Sequence, residues 1–264
     1  LLGLRQRMLG LGESRYYDLY TPAVTLPREF TLEEAATLTQ AALTPLGSDY
    51  VEQLNEALKQ RWLHAYPAPD KRKGAYVMGA AYDVHPFLML NFEGTFDSVS
   101  TFAHEWGHAI HSLMANSHQP FSKSAYSSFI SEIPSTVNEL LLFDYLRDNA
   151  SSDDEKLFYL FRELNLLRSA FFRQAQFAEF ELAIHEQVES GGNLSGDKLN
   201  TLYGTIQKRH AGHSMGIMQV DEPYTVEWAS VSHFYRNFSV YQYATSVVAA
   251  YNLVDRIATD GEEG

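Results

Sequence analysis

His104, Glu105 and His108, in the run His104-Glu105-Trp106-Gly107-His108, have the residue types and the spacing that a hydrolytic metal ion requires. On a helix, residues four apart share one face and lie about 6 Å apart at a rise of 1.5 Å per residue. Both imidazoles can then reach one zinc ion at about 2.0–2.1 Å. Glu105 follows the first histidine and projects beside the metal, where a water would sit, which makes it the candidate general base. An H-E-x-x-H run also arises by chance in roughly a few per cent of chains of this composition, so its setting decides how it is read.

That setting is helical. Thr95 or Asp97 can cap a helix start, and Val99, Phe102, Ala103 and Trp106 then recur at helical spacing, with Ala109 to Ala115 continuing unbroken. A catalytic zinc usually has three protein ligands and one open position, so a third ligand is needed. The next helix-like stretch offers two acidic candidates, Glu132 and Glu139. Pro134 belongs in the first turn of a helix. Glu132, just before it, is therefore expected to project from the start of a helix that packs antiparallel to the motif helix. Glu139, two turns further on, is placed to accept a hydrogen bond from a ligating histidine. The other reading of either glutamate is a solvated surface residue.

On these residues a family resemblance becomes specific. The stretch Thr101-Phe102-Ala103-His104-Glu105-Trp106-Gly107-His108-Ala109-Ile110-His111-Ser112 resembles the zinc helix of the oligoendopeptidase F family, within the thimet-oligopeptidase-like zinc peptidases. Glu132-Ile133-Pro134-Ser135-Thr136-Val137-Asn138-Glu139 is similar to that family's third-ligand segment. Lys71 to Tyr76 and His233 to Thr245 also match, so the resemblance runs in order through nearly the whole chain. It implies one zinc ion bound by His104, His108 and Glu132, with Glu105 as base, in a mainly α, zincin-type catalytic domain over residues 1–264 that acts on oligopeptides. It also implies a histidine and tyrosines that stabilise the tetrahedral oxygen. His233 matches that histidine, Tyr241 is the first choice of tyrosine, and Tyr243 and Tyr235 stand behind it. Family members usually carry a helical region before this portion and continue past it, so the resemblance covers their catalytic half.

Two departures from a zinc endopeptidase remain open: a zinc-free protein that binds peptides in the same groove, and a zinc hydrolase of other amides. The presence of His104, Glu105, His108 and Glu132 together weighs against the first.

Composition bounds the rest. With 264 residues, 45% of them hydrophobic, the chain can bury a large core in one domain or two smaller ones. No run of about 18 apolar residues predicts a membrane span, and no charged-then-apolar leader pattern opens the sequence. The absence of cysteine excludes disulfides and thiolate ligands and suits a cytoplasmic protein. A formal charge of −13 argues against a nucleic-acid partner. Nothing in the sequence fixes the oligomeric state.

The elements that must position the motif read as mostly helical. Thr31 and Glu34 form a capping box opening a helix to about Leu43. Ser48 is expected to cap a second, ending near Ala65. Residues 74–92 break the helical period and read as two short strands, Ala75–Tyr82 and Pro86–Phe92, one of which could hold an extended peptide by its open edge, with Gly74 and Gly79 permitting close backbone approach. An alternative is a hairpin that only closes the core. Ser152 and Glu155 open one long helix that runs to Gly191-Gly192, with its aromatics as core. Two more helices are expected, from Ser195 to about Ala211 and from Phe238 to about Thr259. His111 is a candidate for a role around the ligands, whereas His85, His185, His210 and His213 read as solvated or locally bonded. The stretch from His210 to Gly216 reads as a flexible loop on the substrate side.

Overall fold

The computed structural model describes residues 1–260. In chain order its helices are α1 (Leu2–Met8), α2 (Leu32–Ala42), α3 (Ser48–Leu58), α4 (Phe96–His118), α5 (Phe121–Ser124), α6 (Ser128–Asp148), α7 (Asp153–Leu167), α8 (Arg173–Glu189), α9 (Gly196–His210) and α10 (Tyr241–Asp260). Three short strands, β1 (Leu63–His64), β2 (Tyr76–Met78) and β3 (Phe87–Met89), precede α4. The chain forms two compact units: a larger one of Leu26–Glu163 with the chain from Thr245, and a smaller one of Leu1–Thr25 with Leu164–Ala244. The mainly α expectation with a small sheet holds.

The larger unit is organised around α4. Thr95 caps it by accepting from the Ser98 amide, and the helix runs unbroken until Pro120 forces the chain into an extended path. Its apolar face (Val99, Phe102, Ala103, Trp106 and Ile110) is buried, and its most extensive packing is against α6. The two helices approach closely at Gly107, where a Cβ would stand 2.6 Å from Ser135 Cα and 2.7 Å from the Pro134 carbonyl oxygen. Only a glycine admits that approach. Asn138 reinforces it: its amide donates to the Ala103 carbonyl at 3.1 Å and its oxygen accepts from the Tyr50 hydroxyl at 3.1 Å.

Pro134 lies inside α6 rather than in its first turn. An extra turn, Ser128 to Ser131, precedes the expected start. Ser127 caps it, and Ser246 of α10 donates to the Phe129 carbonyl at 3.2 Å, so tertiary bonds extend the helix past what local propensity allows.

The sheet order is β1-β3-β2, with β2 antiparallel to β3 in the expected hairpin and β1 parallel to β3. Strand β1 replaces the end of the helix expected to reach Ala65. Helix α3 stops at Leu58, and backbone bonds from Leu88 to the Trp62 carbonyl and from Leu90 to the His64 carbonyl draw this stretch into the sheet. Gly47, not Ser48, is the residue before that helix. The Gly79 contact is also different from the expectation. A Cβ there would meet Ser112 of α4, so its close approach is to the helix.

The expected long helix is present with a defect. A π-turn at Arg168–Phe172 separates α7 from α8. The core of the smaller unit gathers Phe177, Phe180, Tyr203, Ile206 and Val240. Buried polar bonds converge on Glu227: Tyr16 and Tyr203 hydroxyls donate to one carboxylate oxygen at 2.8 and 2.6 Å, and Arg173 pairs with the other at 2.5 Å. Gly212 and Gly216 adopt positive φ of 65° and 69° around a short 3₁₀ turn, His213–Met215, and His213 accepts from the Val220 amide at 3.1 Å. The stretch read as a loop contains this bonded turn.

Candidate metal centre

One helical turn of α4 puts His104 and His108 on the same face, and α6 brings Glu132 across from them. The Nε2 atoms of His104 and His108 each lie 3.3 Å from one oxygen of Glu132, and the three candidate ligand atoms fall within 4.8 Å of one another. The 3.3 Å separations are long for charge-assisted hydrogen bonds. They match instead the edge of a tetrahedron whose centre-to-vertex bonds are about 2.0–2.1 Å, which is about 3.3–3.4 Å. The donor set of two imidazoles and a carboxylate is the one that suits zinc with an open fourth position.

His104 and Glu132 are each held by a further bond. His104 Nδ1–H donates to Glu139 at 2.8 Å, and the other Glu139 oxygen accepts from the Ser100 hydroxyl at 2.6 Å. A carboxylate that only accepts keeps a proton on Nδ1, so Nε2 is the atom that a metal ion would take. Ser135 donates to Glu132 at 3.2 Å. Glu139 is thus the hydrogen-bond partner of His104, one of the two candidate histidine ligands. Ser100 was legible only as a helix-face residue four before His104; no motif singles it out.

The electrostatics favour a cation. Burial opposes charge on His104, yet the carboxylates of Glu139 and Glu132 outweigh it and hold the imidazole well above its usual value. Burial also works against charge on Glu132, but the adjacent imidazoles of His104 and His108 outweigh it and keep its carboxyl well below the usual carboxylate range. Glu105 behaves differently. Burial pushes its carboxyl up, opposed by the two histidines. One of its oxygens is buried with no hydrogen-bond partner among the described residues, so a proton-accepting carboxylate is held next to the ligand cluster without a protein donor to satisfy it.

His111, one turn past His108, stacks on Tyr126 with ring centroids 4.1 Å apart. His85 stacks on Trp62 at 4.6 Å, His185 on Phe238 at 4.6 Å, and His210 pairs with Glu179 at 3.0 Å.

His233, Tyr241 and Tyr243 belong to the smaller unit. His233 sits in a 3₁₀ turn, Ser232–Tyr235, and its Nε2 lies 3.3 Å from the Tyr243 hydroxyl, with the rings edge-on at 5.7 Å. Tyr241 begins α10, three residues later than the expected helix start, because Phe238 has a left-handed φ of 53° that no helix continues. Tyr235 is exposed.

Comparison with known proteins adds a family. The sequence pattern of peptidase family M3 matches residues 2–264. The chain is similar to Bacillus subtilis oligopeptidase PepF, 38% identical over 262 residues, 99% of this chain and 38% of that protein. A crystal structure from Chlamydophila abortus aligns with a TM-score of 0.81 at 39% identity, over 97% of this chain and 42% of that one. Oligoendopeptidase-F from Enterococcus faecium aligns with a TM-score of 0.67 at 27% identity, over 98% of this chain and 38% of that one. The chain therefore spans about two fifths of the length of the relatives it matches. None of the described helices is long and apolar enough to cross a membrane.

Proposed function

This chain belongs to peptidase family M3, and on that premise we propose that it is a zinc-dependent endopeptidase acting on oligopeptides, with one zinc ion held by His104, His108 and Glu132. The observation that carries the proposal is the pair of 3.3 Å separations from Glu132 to the two histidines, beside a buried Glu105 oxygen that no protein donor satisfies. Bound zinc supplies Lewis acidity, which brings the pKa of water from 15.7 to about 7 and polarises a carbonyl oxygen.

Glu105 takes the proton of the attacking water on its carboxylate. Burial, which favours its neutral form, keeps that proton available for the leaving amine. Glu139 holds the proton on Nδ1 of His104 and so keeps Nε2 a ligand. We assign His233, Tyr243 and Tyr241 to donors for the tetrahedral oxygen, worth about 3–4 kcal/mol for one well-placed group. The contact of Tyr243 with His233 and the family resemblance support this assignment.

An extended peptide would pair with β2, whose outer edge carries no partner strand among the described residues. Residues 1–264, both units, then act as one catalytic domain. Absence of cysteine from the sequence supports a cytoplasmic setting.

A quenched fluorescent peptide tests the proposal. Hydrolysis is expected from the zinc-loaded protein, to vanish with chelator and to return with zinc. Turnover that ignores the chelator would overturn the metal assignment, and no turnover at full zinc loading would overturn the peptidase.

A further inference from the structure

The 233–243 segment is held by a carboxylate from another helix. Glu181 of α8 is only 2% exposed, and its Oε1 lies 2.6 Å from the backbone nitrogen of Phe238. Phe238 is one of two non-glycine residues with positive φ among the described residues, at 53°. A side chain with a Cβ is disfavoured there, and glycine would be the ordinary choice. One turn along α8 from Glu181, the His185 ring lies against the Phe238 ring at 4.6 Å. Two side chains four apart on one helix thus grip both the backbone and the ring of a single residue.

The rest of the segment is arranged around that grip. The Phe238 carbonyl accepts from the Gln242 side chain at 3.0 Å, and the His233 carbonyl accepts from the Ser239 hydroxyl at 3.2 Å and from the Arg236 amide at 3.0 Å. Two residues after Phe238, Val240 is fully buried in the core with Phe177 and Phe180. Reversing the chain at Phe238 is what lets Val240 enter the core while Tyr243 turns back onto the His233 ring.

A buried carboxylate is an expensive way to satisfy one amide. What the carboxylate adds is a directional, charge-assisted bond that selects one conformation of the segment.

We propose that Glu181 is a positioning residue for peptide hydrolysis: it locks Phe238 in the left-handed conformation and thereby fixes the geometry of His233 and Tyr243. This rests on the assignment of those two residues to the tetrahedral oxygen. In this role the carboxylate acts only through the backbone of Phe238.

The test uses the zinc-loaded full chain, with kcat and KM for a fluorogenic peptide read beside amide hydrogen exchange at Phe238 and Val240. Loss of one charge-assisted bond in Glu181→Met should lower kcat about tenfold, with KM within about twofold and zinc content unchanged. Exchange at Phe238 should rise by a similar factor. Glu181→Gln keeps an oxygen acceptor and should recover most of the rate. Phe238→Gly removes the left-handed penalty, so adding it to Glu181→Met should restore kcat toward that of Phe238→Gly alone. Unchanged kcat in Glu181→Met, or a loss that neither Gln at 181 nor Gly at 238 relieves, would overturn the positioning role. Should Glu181→Met fail to fold, Glu181→Gln against Phe238→Gly still decides, because equal losses in both contradict the lock. Failure of the underlying assignment looks different. Exchange at Phe238 would still respond to Glu181, while His233→Ala and Tyr243→Phe would leave kcat untouched.

Discussion

The ligand cluster of the larger unit and the 233–243 segment of the smaller one both fix side chains tightly, but by different means. His104, His108 and Glu132 ride on two long helices whose backbones meet at Gly107, so their geometry follows from helix periodicity and one close approach. His233 and Tyr243 are set by irregular backbone: a 3₁₀ turn, a left-handed Phe238 and a buried carboxylate from α8. The first device is rigid because its side chains sit on continuous helices of 23 and 21 residues. The second is rigid only while particular hydrogen bonds persist. Perturbations should therefore separate, with metal affinity following the helices and rate following the segment.

The largest effect is expected where chemistry, not geometry, is removed. Glu105→Gln should lower hydrolysis by about 10²–10⁴-fold while zinc stays bound, because an amide cannot take the water's proton. Zinc content and turnover measured on the same preparation check it, and retained turnover at full occupancy would break the assignment.

In the smaller unit, Glu227→Ala leaves Arg173 and two buried hydroxyls without their shared carboxylate and should destabilise by about 3 kcal/mol. The prediction concerns separation as well as size. Thermal unfolding should shift while zinc affinity holds within about twofold.

Gly107→Ala should lower both stability and zinc affinity. Its new methyl would meet the α6 backbone, pushing Glu132 away from the histidines and destabilising by about 1–3 kcal/mol. Zinc affinity read by competition with a chromogenic chelator should fall, with helix content by circular dichroism nearly unchanged. A Gly107→Ala protein that binds zinc like the wild type would mean the helix approach does not set the ligand geometry.

Smaller still, Glu139→Ala removes an accepting carboxylate but no ligand, and should lower zinc affinity about 10–100-fold. Glu132→Ala should cost more than this in the same assay. The opposite order would exchange the roles of the two glutamates.

The contrast also explains what the sequence disclosed. The candidate ligand cluster was legible because its information is local: spacing within α4, and acidic residues at helical offsets on α6. Even there Pro134 misled, because the turn before it is held by Ser246, over a hundred residues away. Strand β1 was hidden for a related reason. Leu63 and His64 have no strand pattern of their own and are recruited by β3. The smaller unit was harder. Helix α10 was expected from Phe238, yet nothing in that residue's identity announces a left-handed φ, since the donor and acceptor that hold it are 57 residues apart. Glu181 and Ser100 carry no motif, and their importance appears only once the chain brings them to Phe238 and Glu139.

The central claim is that His104, His108 and Glu132 bind a single zinc ion. An anomalous difference map collected across the zinc absorption edge from zinc-loaded crystals tests it most directly. The account predicts one peak per chain, about 2.0–2.1 Å from Nε2 of His104, Nε2 of His108 and a Glu132 oxygen, with Glu139 still bonded to His104. A peak bound by Glu139 in place of Glu132, or no peak between the two histidines, would contradict it.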